Sequence, residues 1–340
     1  MPATMHDVAK LAGVSIKTVS NVLSGYPYVR DSTRAKVLAA VDQLGYRMNI
    51  SARNLRAGRT GIIALAVPEL SLPYFAELAD AVIRAAEERD LTVLVEQTGA
   101  VREREIAVLS GSRKHLVDGL IFAPQAVGAA DIDHLRGDFP IVLIGERVFE
   151  GPVDNVAMSN QPAAEAATAH LLALGRRRIA VIGVQPDAGD GTAKLRYDGY
   201  RAALRRAGLA PVDELVVPAE LWHRTDGAEG MRRLLASGVP FDGAFCFNDN
   251  LALGAMHVLL RHGVRIPDDV AIIGFDDIEE AQFSMPPLSS IEPGRAEIAR
   301  QAVELLVEQI GASGEQARPH RQVVADFTLR VRESTAGPRS

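Results

Sequence analysis

The sequence predicts a small all-α head at the amino terminus, followed by a larger α/β domain built on parallel sheets. Two short apolar helix patterns, joined by a turn that contains a glycine, lie within the first 23 residues and are typical of a helix-turn-helix. From Gly61 onward, apolar runs alternate with amphipathic stretches, an order that implies parallel strands with right-handed crossovers. A chain of 340 residues is too long for one core and suits about two to three domains.

The first two helix patterns carry their own start and stop signals. Thr4, with Asp7 three positions later, is a weak capping-box signal, and Gly13 is expected to end the first helix. Ser15 is a suitable cap for the second helix. The predicted buried sides of the two helices are Val8, Ala9, Leu11 and Ala12, and then Val19, Val22 and Leu23.

A third helix pattern completes a miniature core. It begins near Asp31 or Ser32, and Gly45 can end it. Its apolar positions at helical spacing are Val37, Leu38, Val41 and Leu44.

The second helix also has residues that can read DNA bases. Ile16, Lys17, Ser20 and Asn21 fall outside its apolar stripe, near the end that usually enters the major groove. Lysine can donate to guanine and asparagine can pair with adenine, while isoleucine can contact a thymine methyl group. Merely exposed side chains are the alternative interpretation for each of them.

Charge is divided unevenly along the chain. Residues 1–60 hold nine Lys and Arg against three acids, a net charge of +6, whereas the other 280 residues sum to −12. A small basic end on an acidic body favours a head that binds a polyanion, because neutralising phosphates releases counterions. An ordinary solvated surface is the alternative.

Residues 49–60 join the head to the α/β part and include Arg53, Arg56 and Arg59. A helix of about eight residues is too short to be stable alone. We therefore expect this segment to become helical only when it packs against DNA and a second copy. A flexible basic linker is the alternative.

The α/β part contains seven apolar runs that are typical of strands buried on both faces. These runs are 62–67, 91–96, 120–123, 141–144, 179–182, 244–247 and 270–275. Helix candidates between them include 75–89, 163–174, 195–207 and 250–262. More than 250 residues of this alternation exceed what one sheet holds comfortably.

Polar residues follow three of the predicted strands, where ligands of doubly wound sheets gather. Asn248 and Asp249 follow one strand, and Asp276 and Asp277 follow another. Gly145-Glu146-Arg147 follows a third. The carboxyl edges of the sheets are therefore the predicted ligand site.

Several functional classes lack their usual signals in this sequence. We find no dinucleotide or phosphate-binding glycine motif, no His-Glu-x-x-His and no Gly-x-Ser-x-Gly, so no enzyme activity is predicted. The eight histidines have no metal-ligand spacing, and no metal or cofactor is predicted. The lone Cys246 and the absence of an apolar span of roughly 20 residues predict a cytoplasmic protein without a membrane segment.

The head contains a series of motifs that begins with the run from Asp7 to Ser15 and continues with Thr18-Val19-Ser20 and Asn21-Val22-Leu23. The stretch from Thr33-Arg34 to Leu44-Gly45-Tyr46 extends the series. In these motifs the head resembles that of the lac and purine repressor family. The resemblance implies a hinge helix in which Leu55, beside Ala52, wedges into the minor groove. The DNA-contacting residues are thus predicted to be Thr4, Ser15, Ile16, Lys17, Thr18, Ser20, Asn21, Ala52 and Leu55.

The resemblance extends over nearly the whole chain and implies two similar doubly wound parallel-sheet lobes linked by three crossovers, as in periplasmic sugar-binding proteins. The predicted domains are the head at 1–48 and the hinge at 49–60, then a first lobe at 61–160 with 292–322 and a second lobe at 161–291 with 323–340.

Family positions for ligand contacts match Arg196, Asn248 and Asp276 of this sequence. Trp222 lies where lac repressor stacks a sugar, and Tyr74 and Phe75 resemble first-lobe contacts of purine-type members. The sequence departs from the lac pattern in having Glu146 in place of an aspartate and Arg295 in place of an aromatic residue. The predicted ligand site is Tyr74, Phe75, Glu146, Arg196, Trp222, Asn248 and Asp276.

These residues suit a polyhydroxylated ligand, since arginine offers a planar fork, aspartate accepts two hydroxyls and an indole covers an apolar sugar face. The sequence therefore predicts a DNA-binding regulator, a repressor by resemblance, that senses a sugar or sugar derivative. A nucleobase or nucleoside effector is the alternative, and a sugar receptor that does not bind DNA is a further one. Predicted partners are double-stranded operator DNA, the small-molecule effector and a second copy in a homodimer.

Overall fold

The structure is a computed structural model that describes residues 3–23, 26–46, 59–110, 115–137, 139–146, 151–186, 191–312 and 319–337. The chain divides into two compact units, Met1–Thr60 and Gly61–Ser340. Ala52 and Leu55, and with them most of the predicted hinge, lie outside the described residues.

Three helices make up the described part of the first unit: α1 (Met5–Ala12), α2 (Ile16–Leu23) and α3 (Asp31–Leu44). The predicted capping box is present, because the Thr4 side chain accepts from Asp7 N at 3.3 Å while Asp7 Oδ2 accepts from Thr4 N at 2.9 Å. Gly13 ends α1 with a φ of +66°, a left-handed conformation that glycine adopts without strain.

The core of the first unit is formed by Val8, Ala9, Val19, Val22, Val37 and Ala40. The prediction of a buried side chain is wrong at two positions, because Leu11 is 46% exposed and Leu38 is 45% exposed. Successive helix residues are rotated by about 100°, so Leu38 points away from the face defined by Val37 and Ala40. Leu11 likewise lies off the face that Ala9 presents to the other helices.

The first sheet of the second unit has six parallel strands in the order β11-β5-β4-β3-β1-β2. The strands are β1 (Ile62–Val67), β2 (Thr92–Gln97), β3 (Gly119–Phe122), β4 (Ile141–Ile144), β5 (Asp154–Met158) and β11 (Gln322–Ala325). Alternate residues of β1 pack into two different clusters, with Ile63 in one and Ala64 in the other. Both faces of this sheet are therefore covered.

The second sheet has four parallel strands in the order β7-β6-β8-β9. These strands are β6 (Ile179–Val184), β7 (Val216–Pro218), β8 (Gly243–Cys246) and β9 (Ala271–Ile273). A separate antiparallel pair consists of β10 (Ser290–Glu292) and β12 (Thr328–Arg330).

Nine α-helices and two short 3-10 helices, Ala129–Leu135 and Asp213–Leu215, occupy the described part of the second unit. The α-helices are α4 (Pro73–Glu87), α5 (Arg102–Ser110), α6 (Asn160–Ala173), α7 (Thr192–Arg206), α8 (Arg224–Ser237), α9 (Asp249–Arg261), α10 (Glu279–Phe283), α11 (Arg295–Gly311) and α12 (Glu333–Ala336). The chain passes between the lobes after β5, after β10 and after β11, which gives the three crossovers implied by the resemblance. The predicted fold class is confirmed.

Two details differ from the sequence-based expectations. Strand β2 is not buried on both faces, because it lies at the sheet edge with β1 as its neighbour and Leu94 is 41% exposed. Residues 323–325 were predicted to belong to the second lobe but pair with β5 in the first sheet. Because of these backbone hydrogen bonds, the first lobe ends at least three residues later than predicted.

Helices α8 and α9 touch through two glycines. A Cβ atom at Gly254 would lie 1.9 Å from Arg224 O, and one at Gly227 would lie 2.0 Å from Leu251 O. Since no side chain fits at such distances, each glycine is required for the close approach of the two helices.

We therefore expect Gly254→Ala to lower the free energy of unfolding of the second unit by about 1 to 3 kcal/mol through overpacking. Urea unfolding of the full chain, followed by circular dichroism, measures this change. Gly311→Ala is the matched control, because a Cβ atom there would meet nothing within 4 Å. Equal midpoints for Gly254→Ala and the parent would show that the helices can separate at no cost.

Candidate functional site

A cavity of about 750 Å³ lies between the two lobes of the second unit. Its volume is in the range of small-molecule sites. The lining includes all seven residues that the sequence predicts as ligand contacts, namely Tyr74, Phe75, Glu146, Arg196, Trp222, Asn248 and Asp276. The first three belong to the first lobe and the other four to the second, so residues up to 202 positions apart in sequence meet here.

Tyr74 and Phe75 occupy the first turn of α4, where Pro73 begins the helix. Their rings meet edge to face with centroids 5.2 Å apart. The Tyr74 hydroxyl is buried and makes no hydrogen bond within the structure, and burial raises the pKa of this phenol. It is therefore a neutral donor and acceptor without a protein partner.

Glu146 follows β4 and contacts both lobes. Its Oε1 accepts from Met158 N at 3.0 Å, and its Oε2 accepts from the Thr192 hydroxyl at 2.9 Å. Thr192 begins α7 in the second lobe. Burial raises the pKa of Glu146, although the hydrogen bonds from Thr192 and Met158 and the positive charge of Arg196 oppose the shift.

Arg196 is 2% exposed, and its guanidinium lies 3.5 Å above the Phe275 ring. Nε donates to Asn160 Oδ1 at 2.7 Å, and Nη1 donates to Phe247 O. Nη2 has only longer contacts, 3.5 Å to Met158 Sδ and 3.7 Å to Asp276 Oδ1. One edge of the fork is thus fixed by protein atoms, and the other can still bind a ligand.

Asp276 follows β9 and is 6% exposed, with a φ of +107°. Burial raises the pKa of this carboxyl group to about 7, although Arg196 and Arg295 oppose the shift. Arg295 Nη1 donates to Asp276 O at 2.8 Å, and Arg295 also pairs with Glu77 at 2.5 Å. Arg295, at the position where the lac pattern has an aromatic residue, therefore holds the loop that carries Asp276.

Asn248 and Trp222 support each other at the wall of the cavity. Asn248 Oδ1 accepts from Leu251 N at 2.8 Å as the cap of α9, and Asn248 Nδ2 donates to Trp222 O at 3.0 Å. Trp222 Nε1 donates to Gly183 O at 3.0 Å. The indole N–H is thus already bonded, and the half-buried ring remains as an apolar surface.

Four further residues belong to this site and were not predicted. Asn160 supports Arg196 and has a buried Nδ2 without a hydrogen bond. Thr192 bonds Glu146, while His223 Nε2 lies 2.9 Å from Glu69 Oε2 across the cleft. Asn160 stands just after β5, so the strand-end rule would have found it had β5 been recognised.

In the first unit, the structure places most of the predicted DNA contacts on the surface of α2 and just before it. Lys17 is exposed and Ile16 is 41% exposed, while Thr18, Ser20 and Asn21 are half-buried. Ser15 Oγ accepts from Thr18 N at 3.1 Å, so Ser15 caps α2 as predicted. Thr4 is exposed at the start of α1.

Other site types are not found in the described part of the chain. No cluster of three or more His, Cys, Asp or Glu residues there could hold a metal ion. No described helix has the length and apolarity needed to cross a membrane. Cys246 is buried in β8, and its burial raises the pKa of the thiol.

A helix-turn-helix unit joined to a two-lobed domain with a polar cleft defines the class of DNA-binding transcriptional regulators. Residues 4–49 match the model of bacterial regulatory proteins of the lacI family, and residues 168–335 match a periplasmic binding protein-like domain. The chain is 33% identical to the HTH-type transcriptional regulator DegA of Bacillus subtilis, with 99% of each protein covered. The chain therefore belongs to the lacI family.

Other relatives carry names that differ in what they regulate. The ribose operon repressor of Escherichia coli is 33% identical over 91% of this chain and 93% of its own length. The transcriptional repressor PurR of Haemophilus influenzae is 32% identical over 98% of each protein. Both relatives are named as repressors.

Solved structures show the same architecture. A lac repressor dimer bound to operator and an anti-inducer covers 98% of this chain and 99% of its own, with 25% identity and a TM-score of 0.84. The regulator CelR in complex with cellobiose has the same coverage, 32% identity and a TM-score of 0.70. A LacI-family regulator from Sanguibacter keddieii is 50% identical over 82% of this chain and 100% of its own, with a TM-score of 0.76.

Proposed function

We propose that this protein is a homodimeric repressor whose affinity for operator DNA is controlled by a sugar or sugar derivative bound between the lobes of the second unit. The observation that carries this proposal is the cavity of about 750 Å³, into which both lobes project polar side chains beside aromatic ones. Its composition is that of a site for a small polar molecule with an apolar face.

The polar atoms of the cavity suit hydroxyl groups. The Tyr74 hydroxyl lines the cavity and is buried without a hydrogen bond among the described residues, and buried groups of this kind normally have partners. Asp276 and the free edge of Arg196 supply an acceptor and donors in the same cavity. A sugar, which carries several hydroxyls on a partly apolar ring, can satisfy these atoms together while Trp222 covers its apolar face.

A ligand that binds between the two lobes can change the affinity of the protein for operator DNA. The ligand contacts come from both lobes, so occupancy favours one arrangement of the lobes by its differential affinity. In a dimer, that arrangement determines how the two heads are presented to the half-sites of an operator. The related regulators with a named sugar, the ribose operon repressor and CelR with cellobiose, support the sugar class.

A panel of ligands tests the proposed effector class. The full chain is heated with ribose, glucose, cellobiose, adenine and hypoxanthine in turn, because ligands of the folded state raise its unfolding temperature by mass action. We expect a saturable rise with at least one sugar. A rise with a purine base and none with a sugar would favour the nucleobase alternative.

Sequence-specific DNA binding is tested by selection from a randomised duplex pool. We expect a pseudo-palindromic site, since a two-fold dimer reads two half-sites about 10 base pairs or a small multiple apart. Failure to enrich any site would favour the alternative of a receptor that does not bind DNA.

We expect Lys17→Ala and Asn21→Ala each to cost about 1 to 3 kcal/mol of operator affinity and to relax preference at one operator position. Fluorescence anisotropy on the selected site and repeated selection measure both effects. Lys36→Ala is the control, because Lys36 is an exposed residue of the basic head on α3 and not on α2. Unchanged sequence preference in a Lys17/Asn21 double variant would contradict their role as base readers.

A further inference from the structure

The charged residues that line the cavity are mostly acidic. Among the described residues, one guanidinium, that of Arg196, faces four carboxylates, and no lysine lines the cavity. The four carboxylates are those of Glu69, Glu146, Glu220 and Asp276.

The cations near the cavity are already paired. Arg196 lies 3.7 Å from Asp276, so its charge is opposed by an acid on the same wall. Arg295, behind that wall, pairs with Glu77 at 2.5 Å. His223 Nε2 lies 2.9 Å from Glu69 Oε2.

The remaining carboxylates have no cationic partner in the described structure at hydrogen-bond distance. Glu146 is held by the Thr192 hydroxyl and the Met158 amide, which are neutral donors. Glu220 is exposed and belongs to the cavity lining. The cavity thus presents a negative potential to an entering ligand.

One of the helix starts at the cavity is capped by a side chain. The amide of Leu251, in the first turn of α9, donates to Asn248 Oδ1 at 2.8 Å. Helices α4 and α7 also begin at the cavity and have no side-chain cap. The selection against anions therefore rests on the carboxylates of the lining and not on a lack of helix amides.

We infer that the cavity selects sugars without negative charge, either neutral sugars or amino sugars, and rejects sugar phosphates and sugar acids. This inference rests on the proposed sugar-sensing function and narrows its ligand class. The physical reason is that an anion would enter a partly desolvated space whose described lining holds four carboxylates and one guanidinium, and like charges at such sites strongly oppose binding.

Matched ligands that differ in charge test the inference on the full chain. Glucose, glucosamine, gluconate and glucose 6-phosphate form one set, and ribose with ribose 5-phosphate forms another. Titration calorimetry at pH 7.5 and low salt gives each dissociation constant. We expect the phosphates and gluconate to bind at least about 30-fold more weakly than the best neutral or amino sugar.

The outcomes separate the two proposals. A phosphate or acid that binds as tightly as its neutral parent, or more tightly, would overturn the charge selection and leave sugar sensing intact. If no compound of either set bound, and no other sugar did, the proposed function would fail and the inference with it.

Charge variants of the cavity test whether its negative charge causes the selectivity against anionic sugars. Glu146→Gln and Glu220→Gln each remove one negative charge at nearly constant shape, and we expect each to narrow the neutral-to-phosphate affinity ratio by about threefold or more. Glu220→Gln gives the clearer result, because in the described structure the Glu220 side chain has no hydrogen bond or ion pair with the predicted ligand residues, so the change alters charge without removing such a contact. Glu214→Gln is the control, since Glu214 is an exposed acid outside the cavity lining. A ratio unchanged in both cavity variants would show that shape excludes the phosphate, and would overturn the electrostatic argument.

Discussion

Arg196→Ala should leave operator binding intact and weaken sugar binding by about 30-fold or more, so that the sugar no longer changes operator affinity at working concentrations. Removing one member of a desolvated hydrogen-bonded charge pair typically costs about 2 to 5 kcal/mol. Each 1.4 kcal/mol is a factor of about ten in the dissociation constant.

The geometry of Arg196 explains the expected size of this effect. The guanidinium is held in place by Asn160 and Phe247 and stacks on Phe275. A ligand that binds its free edge therefore meets a donor already fixed in position. Alanine would remove that donor and also leave Arg295 as the remaining arginine whose charge opposes that of Asp276.

Operator affinity is measured by fluorescence anisotropy across a titration with the sugar that stabilises the parent best. Arg201→Ala is the matched control, because Arg201 lies on the same helix with a side chain that is 52% exposed and paired with Asp198. Arg196→Lys keeps the charge without the fork and should also lose most of the response. An Arg196→Ala protein that keeps the parent's midpoint would show that Arg196 is only a core residue.

Seven of the twelve described strands could be predicted, because apolar runs in a parallel sheet are nearly continuous. The runs at 62–67 and 141–144 have the same first and last residues as β1 and β4. Strand β5 is not recognisable as an apolar run, because it begins with the polar residues Asp154 and Asn155. Both are buried nonetheless, and Asp154 bonds Arg321 N and Gln309. Such partners come from residues more than 150 positions away and leave no local signal.

Part of the candidate site could also be predicted from the sequence. Strand ends and family positions located the seven residues that now line one cavity. The contacts across the cleft, Glu69 with His223 and Glu146 with Thr192, could not be predicted. They depend on how two lobes face each other, and neither strand periodicity nor motif spacing carries that information.

Asp276→Asn should weaken sugar binding and, above neutral pH, stabilise the ligand-free protein. Burial raises the pKa of Asp276 from 3.8 to about 7. The folded protein therefore retains a proton that the unfolded chain loses between about pH 4 and 7, and stability falls as the pH rises through that interval. At about 1.4 kcal/mol per pKa unit, this group costs up to about 4 kcal/mol at pH 8. Asparagine has no charge to desolvate and avoids that cost.

Urea unfolding of parent and variant at intervals from pH 4.5 to 8 measures the effect, and the difference between the two proteins isolates Asp276 from the other buried acids. We expect that difference to be small near pH 4.5 and to grow to about 2 to 4 kcal/mol at pH 8. Asp268→Asn, at a side chain that is 66% exposed, should show no comparable increase of the stability difference with pH.

Because the asparagine at position 276 also lacks the charge that accepts sugar hydroxyls most strongly, the stabilised variant should bind the sugar at least about tenfold more weakly. A stability difference independent of pH would mean that Asp276 is ionised as readily in the folded protein as in the unfolded chain, and that its carboxylate is not held in the desolvated state proposed for ligand binding.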